Sequence, residues 1–191
     1  MIPICENVDS GFKFSNKKVV SDLFYNICAN ELNNIKTQGG SVRGNTVARQ
    51  ILCQLFNKYV LPQPVDYNDY VLHHKDYNHN NNDLNNLILI KIGIKENHSK
   101  FHRDCVLCAI KDFCNTNKLF STVQTDGKLY VQNGVADVGN TQMGNANIAI
   151  LGNAISQNKQ QIVKYYVDIL KKRADRKHNQ NEIDYLFASD L

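Results

Sequence analysis

Residues 70–103 read YVLHHKDYNHNNNDLNNLILIKIGIKENHSKFHR, and the rest of the chain is best understood outward from them. An apolar start, Val71 and Leu72, leads into His73 and His74 and predicts a short strand over 71–74. An asparagine-rich loop from Asn78 to Asn86 follows, then a second apolar strand from Leu87 to Ile92. The period then lengthens to that of a helix, from about Ile94 to Asn115, with Phe101, Cys105, Cys108, Ala109 and Phe113 facing inward. His98 and His102 are four residues apart, so they share one face of that helix, one turn apart. Imidazoles from a strand end and a helix face are thereby able to converge, which is how a metal site with an unoccupied position is built.

The chain has 191 residues, 42% of them hydrophobic and 21% charged, with a formal charge of +4. This is enough apolar material for a core and argues against wholesale disorder. The mildly basic balance permits a nucleic-acid partner without requiring one. No window approaches the ~18 apolar residues of a membrane span. The start, MIPICENVDS, has neither a basic leader nor an apolar core of a signal peptide. The expected setting is the cytoplasm, or the host cytoplasm if the source is viral. The six cysteines (Cys5, Cys28, Cys53, Cys105, Cys108, Cys114) then read as small buried hydrophobes in a reducing compartment.

Upstream, residues 1–15 lack periodicity and read as a loose arm. Val19, Val20, Leu23, Phe24, Ile27, Cys28, Leu32 and Ile35 form one helical stripe from Asn16 onward. Gly39-Gly40 ends it. A second helix is expected from Asn45, a plausible N-cap, through Val47, Ile51, Leu52, Leu55, Phe56 and Val60 to Pro62 and Pro64. Two amphipathic helices flanking a glycine turn are read as core packing rather than a DNA-reading helix-turn-helix. Downstream, LFSTVQTDGKLYVQ predicts a hairpin turning at Asp126-Gly127. Residues 133–147 are rich in Gly and Asn and read as loop. A last helix from about Gln157 to Lys177 presents Ile162, Tyr165, Tyr166, Ile169 and Leu170 on one side and ends in basic residues.

Phosphodiester hydrolysis needs a base to deprotonate water and a cation to neutralise the growing charge. A neutral imidazole suits the first task near pH 7. His73 and His74, adjacent at a strand end, point to opposite faces, so one is placed to bind metal while the other faces water. His98 and His102 complete a three-histidine set.

The residues HHKDYNHNNNDLNNL at 73–87 and HSKFH at 98–102 resemble the HNH, or ββα-metal, nuclease family, also called His-Me finger nucleases. With the upstream segment TVARQILCQLFNKYVLPQP the resemblance covers residues 46–103. It implies His73 as a metal ligand, His74 as the general base, and Asn86 as the side chain that ties the loop and orients the base. His98 and His102 are implied as the remaining ligands. Asp76, Asn78, Asn81 and Asn82 match the loop pattern, in which short polar side chains bond their own backbone. The interval from Asn86 to His98 is longer than the family's usual spacing. Asn97 follows Glu96, as a metal-binding Asn does in a homing-type subgroup, and is the alternative ligand to His98.

The expected fold is therefore α+β: a mostly helical protein around a central ββα-metal unit, with a C-terminal β-hairpin and long helix. The implied layout is an N-terminal helical region (1–65), a nuclease core (66–116) and a C-terminal region (117–191) that contacts DNA. The implied cofactor is one divalent ion, Mg²⁺, Mn²⁺, Zn²⁺ or Ni²⁺. The implied partner is DNA, with a homodimer or a phage protein as a further partner and no membrane. Lys100 and Arg103 are candidates for the scissile phosphate. Lys171, Lys172, Arg173, Arg176 and Lys177 are either a solvated helix end, favoured there by the macrodipole, or phosphate contacts. The resemblance suggests a phage-borne endonuclease acting in homing or genome processing. The alternative is a non-catalytic DNA-binding or viral packaging protein that keeps the scaffold. His79 reads as a solvated loop side chain. Cys105, Cys108 and Cys114 lie in one helix and are not read as a zinc site, since one helix does not wrap its own cysteines around a tetrahedral ion.

Overall fold

The computed structural model describes residues 11–36, 70–91, 98–124 and 127–188. In chain order the elements are β1 (Lys13–Phe14), α1 (Lys17–Ile27), α2 (Ala29–Lys36), β2 (Tyr70–His74), β3 (Leu87–Lys91), α3 (His98–Thr116), β4 (Phe120–Ser121), β5 (Leu129–Tyr130), β6 (Val135–Ala136), α4 (Gln142–Gln157) and α5 (Lys159–Ala188). The protein is thus α+β and mostly helical, with three two-stranded sheets among the described residues. No helix among those residues is long and apolar enough to cross a membrane. The chain forms two units, Met1–Leu32 with His102–Ile169 and Asn33–Phe101 with Leu170–Leu191.

In the second unit β2 and β3 pair antiparallel, from Tyr70↔Lys91 to His74↔Leu87. Leu87, Ile88 and Ile90 are buried, so the apolar run that predicts β3 does supply core. The loop between the strands folds on itself through its short polar side chains. Asp76, Asn78, Asn81 and Asp83 each accept, through a side-chain oxygen, the main-chain N–H two residues on. Four such turns in succession explain a tract so dense in Asn and Asp. A 3₁₀ turn, Leu84–Asn86, delivers the chain into β3.

In the first unit α3 runs buried through seven consecutive residues, Cys105–Lys111, a stretch of helix enclosed on all sides rather than amphipathic. In the same unit Phe24, Leu151, Ile155, Ile162 and Tyr166 are fully buried. Cys28, Cys105, Cys108 and Cys114 are buried and free, as small hydrophobes are. Burial pushes the Cys28 and Cys114 thiols up to about 12, which keeps them protonated and poor metal ligands.

Several expectations are corrected. The arm before Asn16 is anchored where it is described: Phe12 and Phe14 are buried, and β1 pairs parallel with β6. The stripe from Asn16 to Ile35 is two helices, because the chain turns at Cys28; Asn16 caps the first by accepting from the Val19 N–H. The stretch 120–130 is no hairpin, since β4 and β5 run parallel. Buried Asn147 explains this: its side-chain oxygen accepts from Tyr130 N–H and its amide donates to Tyr130 C=O, occupying the edge of β5 as a strand would.

The Gly- and Asn-rich stretch 133–147 is not loop throughout, for it holds β6 and the start of α4. Thr141 caps α4 by accepting from Gly144 N–H at 2.8 Å. A Cβ at Gly144 would lie 2.4 Å from the Gly139 carbonyl oxygen, so glycine there permits a close backbone approach. The last helix starts at Lys159, close to the expected Gln157, after a break at Asn158, and runs on to Ala188. The expected helix over 45–60, and residues 92–97 between β3 and α3, lie outside the described residues.

Candidate metal centre

Strand β2 ends in two buried histidines, His73 at 2% exposure and His74 at 4%. Their side chains leave opposite faces of the strand, and each meets a different set of partners. His73 Nδ1 lies 3.2 Å from His98 Nε2. Its ring also sits edge-on to Phe101, with centroids 5.2 Å apart, so an aromatic wall fixes its plane. His98 opens α3, and burial holds its imidazole below the ordinary histidine range, in the neutral form that a metal ligand requires. One turn further along α3 is His102, whose Nδ1 lies 2.7 Å from the Tyr166 hydroxyl.

Ligand atoms of His73, His98 and His102 all lie within 4.8 Å of one another. Three imidazoles so gathered fit a divalent ion. With Zn–N bonds near 2.0–2.1 Å, tetrahedral ligand atoms sit about 3.3 Å apart, close to the 3.2 Å between His73 and His98. The chemistry of the donor set also fits, since imidazole suits Zn²⁺, Ni²⁺ and Co²⁺ while Mg²⁺ prefers oxygen.

On the other face of β2, His74 Nε2 lies 3.1 Å from Asn82 Oδ1. An amide oxygen only accepts, so Nε2 carries the proton and Nδ1 keeps its lone pair. The His79 ring stacks on His74, with centroids 5.2 Å apart and planes at 27°. His79 is therefore not the solvated loop side chain that the sequence suggests. Burial first, and then electrostatic contributions from its neighbours His74, Lys36 and His98, lower its pKa to about 4 against an opposing pull from Asp76. An unfolded His79 takes up its proton near 6.5. The folded protein therefore loses stability as pH falls from about 6.5 towards 4, because the unfolded state binds that proton first. His79→Phe keeps a ring against His74 and removes the titration. Its urea midpoint is expected to fall less than that of the wild type across this window.

Asn86 closes the loop. Its oxygen accepts from Asp76 N–H, and its amide donates to Asp76 Oδ1 and to the Asn81 carbonyl. It makes no described contact with His74, whose ring is held by Asn82 instead. Asn86→Ala is expected to lower stability by about 1–2 kcal/mol, through loss of hydrogen bonds to half-buried partners. Urea unfolding with an unchanged slope is the check.

The basic candidates are spread along two helices. Lys100 is exposed and Arg103 half-buried on α3; Lys171 is exposed, and Lys172 and Arg173 are half-buried on α5. The Lys75 ammonium meets Asp175 Oδ1 at 2.8 Å, which ties this part of α5 to the end of β2. The side chains of Arg176 and Lys177, and all of Asn97, lie outside the described residues. Asn82 and Tyr166, which hold His74 and His102, do not stand out in the sequence. Asn82 is one of a run of asparagines, and Tyr166 reads only as core. No protein-family model, curated protein or solved structure matches this chain.

Proposed function

We propose that the protein is a metal-dependent endonuclease that hydrolyses DNA phosphodiester bonds, a nuclease of the ββα-metal kind. The observation that carries this reading is the grouping of His73, His98 and His102 beside a fourth imidazole, His74, whose ring is oriented by Asn82. His73, His98 and His102 would hold the ion, which would supply Lewis acidity and positive charge towards a phosphate oxygen.

The remaining work falls to the chain. His74 Nδ1, with Nε2 committed to Asn82, accepts a proton from the attacking water. Asn82 fixes the ring and its tautomer as the proton moves. Lys100 and Arg103, on the helix that carries two of the ligands, supply positive charge for phosphate. Lys171, Lys172 and Arg173 on α5 supply further positive charge for phosphate. Hydrolysis in this sense leaves a 5′-phosphate and a 3′-hydroxyl.

Supercoiled-plasmid cleavage tests the reading, with Mg²⁺, Mn²⁺, Ni²⁺, Zn²⁺ and EDTA compared. Nicked or linear DNA is expected with at least one ion and none in EDTA. Cleavage undiminished by EDTA, or none with any ion, contradicts it.

A further inference from the structure

Tyr166 is fully buried, yet its hydroxyl lies at the centre of a polar chain. It is 2.7 Å from His102 Nδ1 on α3 and 3.2 Å from the Tyr25 hydroxyl on α1. Its ring is packed edge-on to Phe24, with centroids 5.2 Å apart, so the hydroxyl is aimed by the core. We infer that Tyr166, backed by Tyr25, is a positioning residue for a metal-binding His102: it selects the tautomer that offers Nε2 to an ion. This inference rests on the metal-centre reading of His73, His98 and His102.

Nδ1 of His102 is engaged with Tyr166, so Nε2 is the nitrogen left for an ion. A nitrogen that gives its lone pair to a metal carries no hydrogen, so the proton of the neutral ring must sit on Nδ1. Nδ1–H then donates to the Tyr166 oxygen, and the Tyr166 O–H donates onward to Tyr25. In the opposite tautomer Tyr166 donates to Nδ1 and Nε2–H points at the ion, which excludes it. When Tyr166 accepts from His102, its own O–H is available to donate to the Tyr25 oxygen 3.2 Å away, so the two hydroxyls orient together. The bland alternative is that a buried tyrosine hydroxyl has merely found a hydrogen-bond partner.

The two differ in their effect on metal affinity. The full-length wild type, Tyr166→Phe and Tyr25→Phe are titrated with Zn²⁺ against a chromophoric chelator, and the Co²⁺ forms are compared by their visible spectra. Removing a partner that orients a metal-binding histidine lowers affinity about 10- to 100-fold. That loss is expected for Tyr166→Phe, with a smaller one for Tyr25→Phe and an altered Co²⁺ spectrum. Unchanged Zn²⁺ affinity in Tyr166→Phe overturns the inference and leaves the metal centre standing. A wild type that takes up neither ion overturns both. Should Tyr166→Phe fail to fold, long-range ¹H–¹⁵N correlation on the zinc-loaded wild type decides: a proton on His102 Nδ1 supports the inference, and one on Nε2 overturns it.

Discussion

His74→Ala is expected to lower DNA cleavage by about 10²- to 10⁴-fold, the usual contribution of a positioned general base, while Zn²⁺ affinity is unchanged. The separation follows from the strand. His73 and His74 leave opposite faces of β2, and only His73 belongs to the three-imidazole group. His74 instead meets Asn82 and His79. Truncating it removes a proton acceptor and leaves the metal ligands in place. Parallel loss of metal and activity in His74→Ala would mean that the two histidines have one role rather than two. Full activity would mean that another group takes the proton.

The second large effect is expected at the ligands. His98→Ala and His102→Ala each remove one of three imidazoles, and both activity and metal affinity are expected to collapse together. Ligand loss also has a stability signature. An ion that binds only the folded state at about 100 times its Kd adds about 2.7 kcal/mol. For a chain of this length that corresponds to a rise in Tm of roughly 5–10 °C. Wild type is expected to show the rise, and His98→Ala and His102→Ala to lose it. His79→Phe, which touches no ligand face, is expected to retain it. A rise that persists in both ligand variants would place the ion elsewhere.

What the sequence discloses here depends on whether neighbours are near or remote along the chain. His98 and His102 lie one turn apart on a single helix, and His73 ends a strand whose apolar run is plain to read. That His98 and His102 share a face follows from short-range periodicity; that His73 meets His98 across 25 residues is an expectation only the family resemblance supplies. The Asn-rich loop is also legible in kind, since each short polar side chain serves the backbone two residues on. Which asparagine serves His74 is not legible, because Asn82 and Asn86 differ only in where the loop carries them.

The first unit is harder to read because its determinants are remote. Asn147 acts as an edge for β5 from seventeen residues away. Gly144 is glycine because the Gly139 backbone lies against it. Both residues suggest loop when read alone, and both lie in α4. The break at Cys28 is hidden for a different reason. There one helix follows another after a single residue, so an apolar stripe continues across the joint. Tyr166 reads as core, and it is core; its hydroxyl matters only because His102 lies beside it.

The most direct measurement is X-ray absorption at the metal edge of the full-length protein loaded with one equivalent of Zn²⁺. The grouping of His73, His98 and His102 predicts three imidazole nitrogens at about 2.0–2.1 Å, with any remaining position filled by oxygen. The same measurement on His98→Ala is expected to show fewer imidazoles. A shell containing sulfur at about 2.3 Å, or the same imidazole count in wild type and variant, would contradict the account.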